Sequence, residues 1–192
     1  MANWKNIVGR WGSGDGEVDD IRIDASTNSL QTIDYAHHEI HSGSHYKAGF
    51  GSITQILDTD DTIELLFVTP DTTEYGHWTL TAQATAFAKI ELFEDATATG
   101  GTAVTRWNRN RNSDNESSIL AYHTPSVTVD GTKFSTKFIG GTGFKSDIGG
   151  ETRGSSEIIL KRNTKYLIRG TALADDMSIQ IGGDWYEHED KH

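Results

Sequence analysis

The chain has 192 residues, 35% of them hydrophobic, with 20 glycines, 2 prolines and no cysteine; that length suits one all-β domain with a sizeable core, and the missing cysteines exclude disulfides, thiolate metal sites and a cysteine nucleophile. The net charge of −11 is unevenly spread, since residues 1–100 hold 5 Lys and Arg against 16 Asp and Glu while residues 101–192 hold 12 against 12, and so acidic a balance argues against nucleic acid as a partner. No 18 uncharged apolar residues occur together and no apolar run follows Lys5, so neither a membrane span nor a signal peptide is expected, and the chain is expected to be made in the cytoplasm.

Residues 1–20 are rich in Gly, Asp and Asn, with Trp4 and Trp11 as the large anchors, and are expected to form an extended amino-terminal arm. An indole brings a large contact area, so these two rings either cap the domain's own core or dock on a neighbouring subunit. From Ile21 onward, short alternating or β-branched runs recur between turn residues, the rhythm of an antiparallel sandwich. Strands are predicted near 21–24, 29–34, 45–57, 61–69, 76–94, 102–107, 118–129, 133–139, 156–162, 164–171 and 177–187. The clearest lies at 62–69, where Ile63, Leu65, Phe67 and Thr69 share one face and Glu64, Leu66 and Val68 the other, as in a central strand buried on most of both faces. The 76–94 stretch reads as one long or bulged strand pair. Any helix should be one or two turns, because no window carries an uninterrupted apolar stripe of helical period. Val129-Asp130-Gly131-Thr132 and Arg162-Asn163-Thr164-Lys165 read as tight reversals that pair adjacent strands, and 95–103 and 139–150 read as glycine-rich loops.

Tyr35 to Tyr46 packs half the chain's histidines into nine positions, His37, His38, His41 and His45. Imidazoles ligate transition metals, so His38, His41 and His45 with Glu39 are weighed as a metal set. Their spacing matches neither a His-Glu-x-x-His helix nor a cupin, and Gly43 argues against a helix. The favoured expectation is a strand–turn–strand corner whose histidines bond main chain or a neighbouring subunit, with no metal and no other cofactor; a pH-sensitive contact is the remaining alternative.

Thr105 to Ser113 sets three guanidiniums, Arg106, Arg109 and Arg111, and three amides around Trp107. Guanidinium suits bidentate carboxylate contacts, so this strip is a candidate for docking on an acidic patch of a partner or on the acidic half of a second copy. A solvated edge strand guarded by charges is the plainer alternative, and phosphate binding with base stacking a weaker one against the net charge. No Gly-x-Ser-x-Gly elbow and no phosphate loop occurs. Asp58, Asp60, Asp61, Asp71, Glu74 and Asp95 supply carboxylates, none singled out by spacing, and the Asp58-x-Asp60-Asp61 turn lacks the Gly and terminal Glu of a twelve-residue calcium loop. No catalytic residue is assigned.

The block from Thr32 to Tyr46, then Leu66-Phe67-Val68-Thr69-Pro70, Gly76-His77, Trp107-Asn108-Arg109-Asn110-Arg111-Asn112-Ser113, Leu160 to Leu167 and Trp185-Tyr186-Glu187-His188 resembles structural proteins of tailed-bacteriophage virions across roughly residues 21–188. The resemblance implies a capsid cement or decoration protein, on the outside of the capsid, whose partners are the major capsid protein and further copies of itself in a homotrimer, with neither nucleic acid nor membrane involved. The fold expected is all-β, a jelly-roll-like antiparallel sandwich over 21–192 behind the arm of 1–20. Trp4, Trp11, His37, His38, His41, His45, Arg106, Trp107, Arg109 and Arg111 are its contact candidates. The alternative is a receptor- or carbohydrate-binding module of a tail or fibre, with Trp78, Trp107 and Trp185 stacking on sugar rings.

Overall fold

The structure, a computed structural model, describes residues 34–52, 56–140 and 156–189. Trp4, Trp11, the arm, the strand expected at 21–24, all but Asp34 of that at 29–34, and all but two residues of the 139–150 loop lie outside the described residues. By its internal contacts the chain divides into two compact units, Met1–His38 and Glu39–His192.

The one helix among the described residues, α1 (Tyr35–Ser42), occupies the histidine-rich segment. The Asp34 carboxylate accepts the His37 N–H at its start. At its end Gly43 turns left-handed, with φ +79; the Gly43 N–H donates to the Ile40 carbonyl and the Ser44 N–H to that of Glu39. These two bonds are the Schellman closure of a helix. The expected strand–turn–strand corner is therefore corrected: a glycine directly behind two helical turns ends a helix rather than forbidding one.

The strands are β1 (His45–Gly51), β2 (Thr62–Val68), β3 (Glu74–Ala84), β4 (Ala88–Glu94), β5 (Thr97–Thr99), β6 (Thr102–Ala103), β7 (Trp107–Asn108), β8 (Leu120–His123), β9 (Ser126–Val129), β10 (Thr132–Ile139), β11 (Ile158–Ile159), β12 (Lys165–Ala172) and β13 (Ile179–Glu189). Pairing is antiparallel and nested: β1 with β13, β2 with β12, β3 with β11, β4 with β10. Two more ladders, β13 with β3 and β12 with β4, knit these pairs into a five-stranded sheet, β11-β3-β13-β1-β7, and a six-stranded one, β10-β4-β12-β2-β8-β6. An antiparallel ribbon rolled up so that strands alternate between two facing sheets is a jelly roll.

The core lies between the sheets because alternate residues of each strand turn inward. Phe67 of β2 stands edge-on to Trp78 of β3 and Trp185 of β13, with ring centroids 5.7 and 5.5 Å apart, joining the layers. Ile63, Leu65 and Phe67 are buried here as their alternation predicts, and Leu66 is buried on the opposite face. That face is covered by a two-stranded flap, β5 with β9, whose Ala98 and Val127 sit on Leu66, Phe93 and Leu167.

Glu94 lies opposite Thr132 and Thr97 opposite Val129, so β4–β5 and β9–β10 form one ribbon that kinks where Asp95-Ala96 meets Asp130-Gly131. The expected hairpin at 129–132 is this kink, since β9 and β10 do not pair with each other. Nor is 162–165 a hairpin; Asn163, at φ 48, carries the chain from β11 in one sheet to β12 in the other. The 76–94 stretch is likewise no strand pair, because β3 and β4 belong to opposite sheets, and the expected 95–103 loop contains β5. Each of these errors has one cause: local pattern marks an extended run, whereas partner choice is set by the rolling of the whole ribbon.

Candidate functional site: a cationic tryptophan corner

Tyr46, Ala48, Ile181 and Trp185 fill the core side of the five-stranded sheet, so their neighbours point outward. Register then builds rows on the outer face. Lys47 lies opposite Trp107 on one side and Asp184 on the other, with Thr79 beyond; Gly49, Gly182 and Thr81 make the next row, and Gly51, Gln180 and Gln83 the third. The middle row holds no side chain larger than threonine, and it is a furrow.

The strip that carries Trp107 is held by its asparagines. Asn108 is buried, and its amide donates to the Gly43 carbonyl at 2.8 Å and the Asn115 carbonyl at 3.0 Å while its oxygen accepts the Asn110 N–H. Asn110 donates to the His41 carbonyl and accepts the Asn112 N–H. Asn108 and Asn110 thus spend their amides on backbone groups, and Arg109 and Arg111, which alternate with them, are left exposed. The Arg109 guanidinium donates to Asp184, 3.1 Å away, whose other oxygen is 2.6 Å from the His45 ring nitrogen. Arg111 lies over the Trp107 ring, 4.9 Å from its centroid, and Arg106 donates to the Ser117 and Ile119 carbonyls.

Of the residues singled out from sequence, Trp107, Arg109, Arg111 and His45 are gathered here. His45 is buried and fixed by Asp184, Arg106 braces the 117–119 segment, and His41 contributes its carbonyl. His37 and His38 are exposed positions of α1. Among the described residues no group of three or more His, Asp or Glu converges to hold a metal ion, and His38, His41 and His45 with Glu39 form no such set. The acidic turn is likewise used locally, for Asp58 accepts the Asp176 N–H, Asp61 the Asp58 N–H, and Asp175 the Thr59 N–H and hydroxyl. Trp78 and Trp185, expected as exposed stacking platforms, are buried at 1% and 0% exposure, whereas Trp107 is 50% exposed.

Lys47, Gly49, Thr81, Gln180 and Asp184 were not legible as site residues. Alternation turns them outward, but only register gathers strands that are distant in sequence. Beside them, His77 stacks on Tyr186 and His188, and Glu157 takes bonds from His77 and from the Tyr186 hydroxyl. Trp107 stands between two hollows. One of about 530 Å³ is lined by Lys47, Asn108, Arg109 and Arg111, and one of about 460 Å³ by Lys47, Gly49, Thr81, Thr105, Gln180 and Asp184.

A second surface lies on the other sheet. Phe138 is 69% exposed, Phe87 49% and Leu173 40%. Phe87 and Leu173 are neighbours through a backbone bond, and Phe138 faces Lys89, two residues along from Phe87, so the three lie at one end of the outer face, by strand β10, which among the described residues pairs on one side only.

The chain is thus a jelly-roll sandwich with a cationic furrow on the outer face of one sheet and three exposed apolar side chains at one end of the other, beside the ion pairs of Lys89 and Lys133 with Glu91. No family model, no curated protein and no solved structure matches it.

Proposed function

We propose that this chain is a bacteriophage virion structural protein, a cement that binds the outer capsid surface as a homotrimer and stabilises the head by bridging major capsid proteins. The observation that carries this proposal is the apolar patch of Phe87, Phe138 and Leu173 on a rigid two-sheet frame. Clustered exposed apolar side chains beside a free strand edge mark a surface that another protein covers. Lys133 and Lys137 on the same edge strand oppose indiscriminate pairing between edges. The sequence resemblance points the same way. A cement contact need bury only a standard interface of roughly 1,600 Å² in each copy, because many copies on one lattice gain by multivalency.

The test is to mix the purified chain with shells that lack it. Sedimentation should recover it with the shells, and electron microscopy should place it at regular lattice positions. Phe138→Ser is expected to weaken trimer or shell binding at least tenfold with an unchanged melting temperature. A monomeric chain that leaves shells undecorated refutes the proposal.

A further inference from the structure

The furrow beside Trp107 is separate from the apolar patch, and its chemistry points to a different occupant. We propose that it is a binding site for an anionic saccharide, one bearing carboxylate or sulfate groups. The charge pattern comes first. In a chain of net charge −11, Lys89, Lys133, Lys161, Arg109 and Arg169 are all paired with carboxylates. Arg106, Arg162 and Lys165 donate to backbone carbonyls; Lys47 and Arg111 also have no carboxylate partner among the described residues, and these two flank Trp107, which is half exposed. Two unneutralised cations beside an exposed indole on an acidic protein select an anion with a flat apolar face.

Shape narrows the choice. The second hollow, about 460 Å³, falls within the ~300–1,000 Å³ of small-ligand sites. Its lining mixes polar side chains, Lys47, Thr81, Thr105, Gln180 and Asp184, with the indole of Trp107. At the Trp107 row an extended peptide finds no free edge to join as an added strand, because β13 lies between β1 and β3, and β1 is paired by β13 on one side and by β7 at Tyr46 and Lys47 on the other. A ligand here must be held by side chains. Trp107 lines both hollows, whereas Arg111, which lies over one face of its ring, lines only the first, so the face open to a ligand is the one that Arg111 does not cover. A sugar ring lying on that face sets its hydroxyls against Thr81, Gln180 and Asp184 and its anionic group toward Lys47. Gly49 and Gly182 leave the furrow floor open for it.

Calorimetry of the intact chain with trigalacturonate, a sulfated heparin disaccharide, neutral maltotriose and an aspartate-rich peptide tests this. One or both anionic saccharides should bind at least tenfold more tightly than maltotriose, the stronger arm naming carboxylate or sulfate as the group preferred. Trp107→Ala should lose at least tenfold for either, and Thr81→Tyr, which fills the furrow from an exposed strand position, should do the same with an unchanged melting temperature. Lys47→Gln should erase the preference for charge while leaving maltotriose unaffected. Absence of saccharide binding, binding untouched by Thr81→Tyr, or binding of the acidic peptide alone overturns the proposal. None of these outcomes bears on shell binding, which rests on the opposite sheet.

Discussion

At the residue scale, the buried polar groups carry the sharpest consequences. Glu187 is 7% exposed, and its carboxylate accepts the Trp185 indole N–H at 2.8 Å, the Ser118 N–H at 2.9 Å and the hydroxyls of Ser117 and Ser118. It ties the 117–119 segment to the last strand of the roll. Glu187→Ala strands several buried donors, each costing about 1–3 kcal/mol, so a loss of at least about 2 kcal/mol is expected in urea unfolding; a change within error contradicts this role. Arg169 is a second such centre, bonded through both terminal nitrogens to Asp130 and through its Nε to Glu64. Its hydrogen bonds hold the Asp130 carboxyl below the usual range. Burial pushes the Glu91 carboxyl up, but the bonds from Lys133 and Lys89 outweigh it and the net shift is downward. A depressed carboxyl contributes stability that is complete above its unfolded value, near ~4, and is lost as pH falls through its folded value. The urea midpoint should therefore fall below about pH 4, and Asp130→Asn should flatten part of that fall; parallel acid curves for the two proteins would count against it.

At the scale of elements, the kinked ribbon β4–β5/β9–β10 depends on Gly131. Its φ is +86, and a Cβ there would sit 2.2 Å from the Glu94 carbonyl oxygen. Gly131→Val adds a β-branched side chain where neither backbone nor space admits one, at a cost of about 1–3 kcal/mol from backbone strain alone. The flap should lift from Leu66, Phe93 and Leu167, and hydrogen exchange should quicken first at β5 and β9; uniform protection across the sheet would refute this. The strand at 62–69 was legible because alternation showed both its faces. The helix was not, because its two turns lie among polar residues with no apolar stripe, and its signals are the cap residues Asp34 and Gly43.

At the scale of the whole molecule, β13 closes the roll. It lies between β1 and β3 and places Ile179, Ile181 and Trp185 in the core. The nested pairing also makes nearly every ladder long-range, which predicts slow folding. A chain cut after Ala174 leaves β1 and β3 without their shared partner, so it should show no cooperative thermal transition and no near-ultraviolet signature of packed tryptophans. A sigmoidal melt for that fragment would show that the roll does not need its last strand.

By itself the sequence determined that this chain is a β-sandwich, since period-two alternation and turn residues are local and need no partner to be read. It also marked the Trp107 strip, because cations and amides crowded around one indole are unusual wherever they fall. It took the folded chain to settle which strands share a sheet, that Trp78 and Trp185 face inward while Trp107 does not, and that Lys47, Gly49, Gly182, Thr81 and Asp184 form one surface. Such rows are products of register between segments far apart in sequence, and a one-residue slip would turn every one of those side chains to the other face.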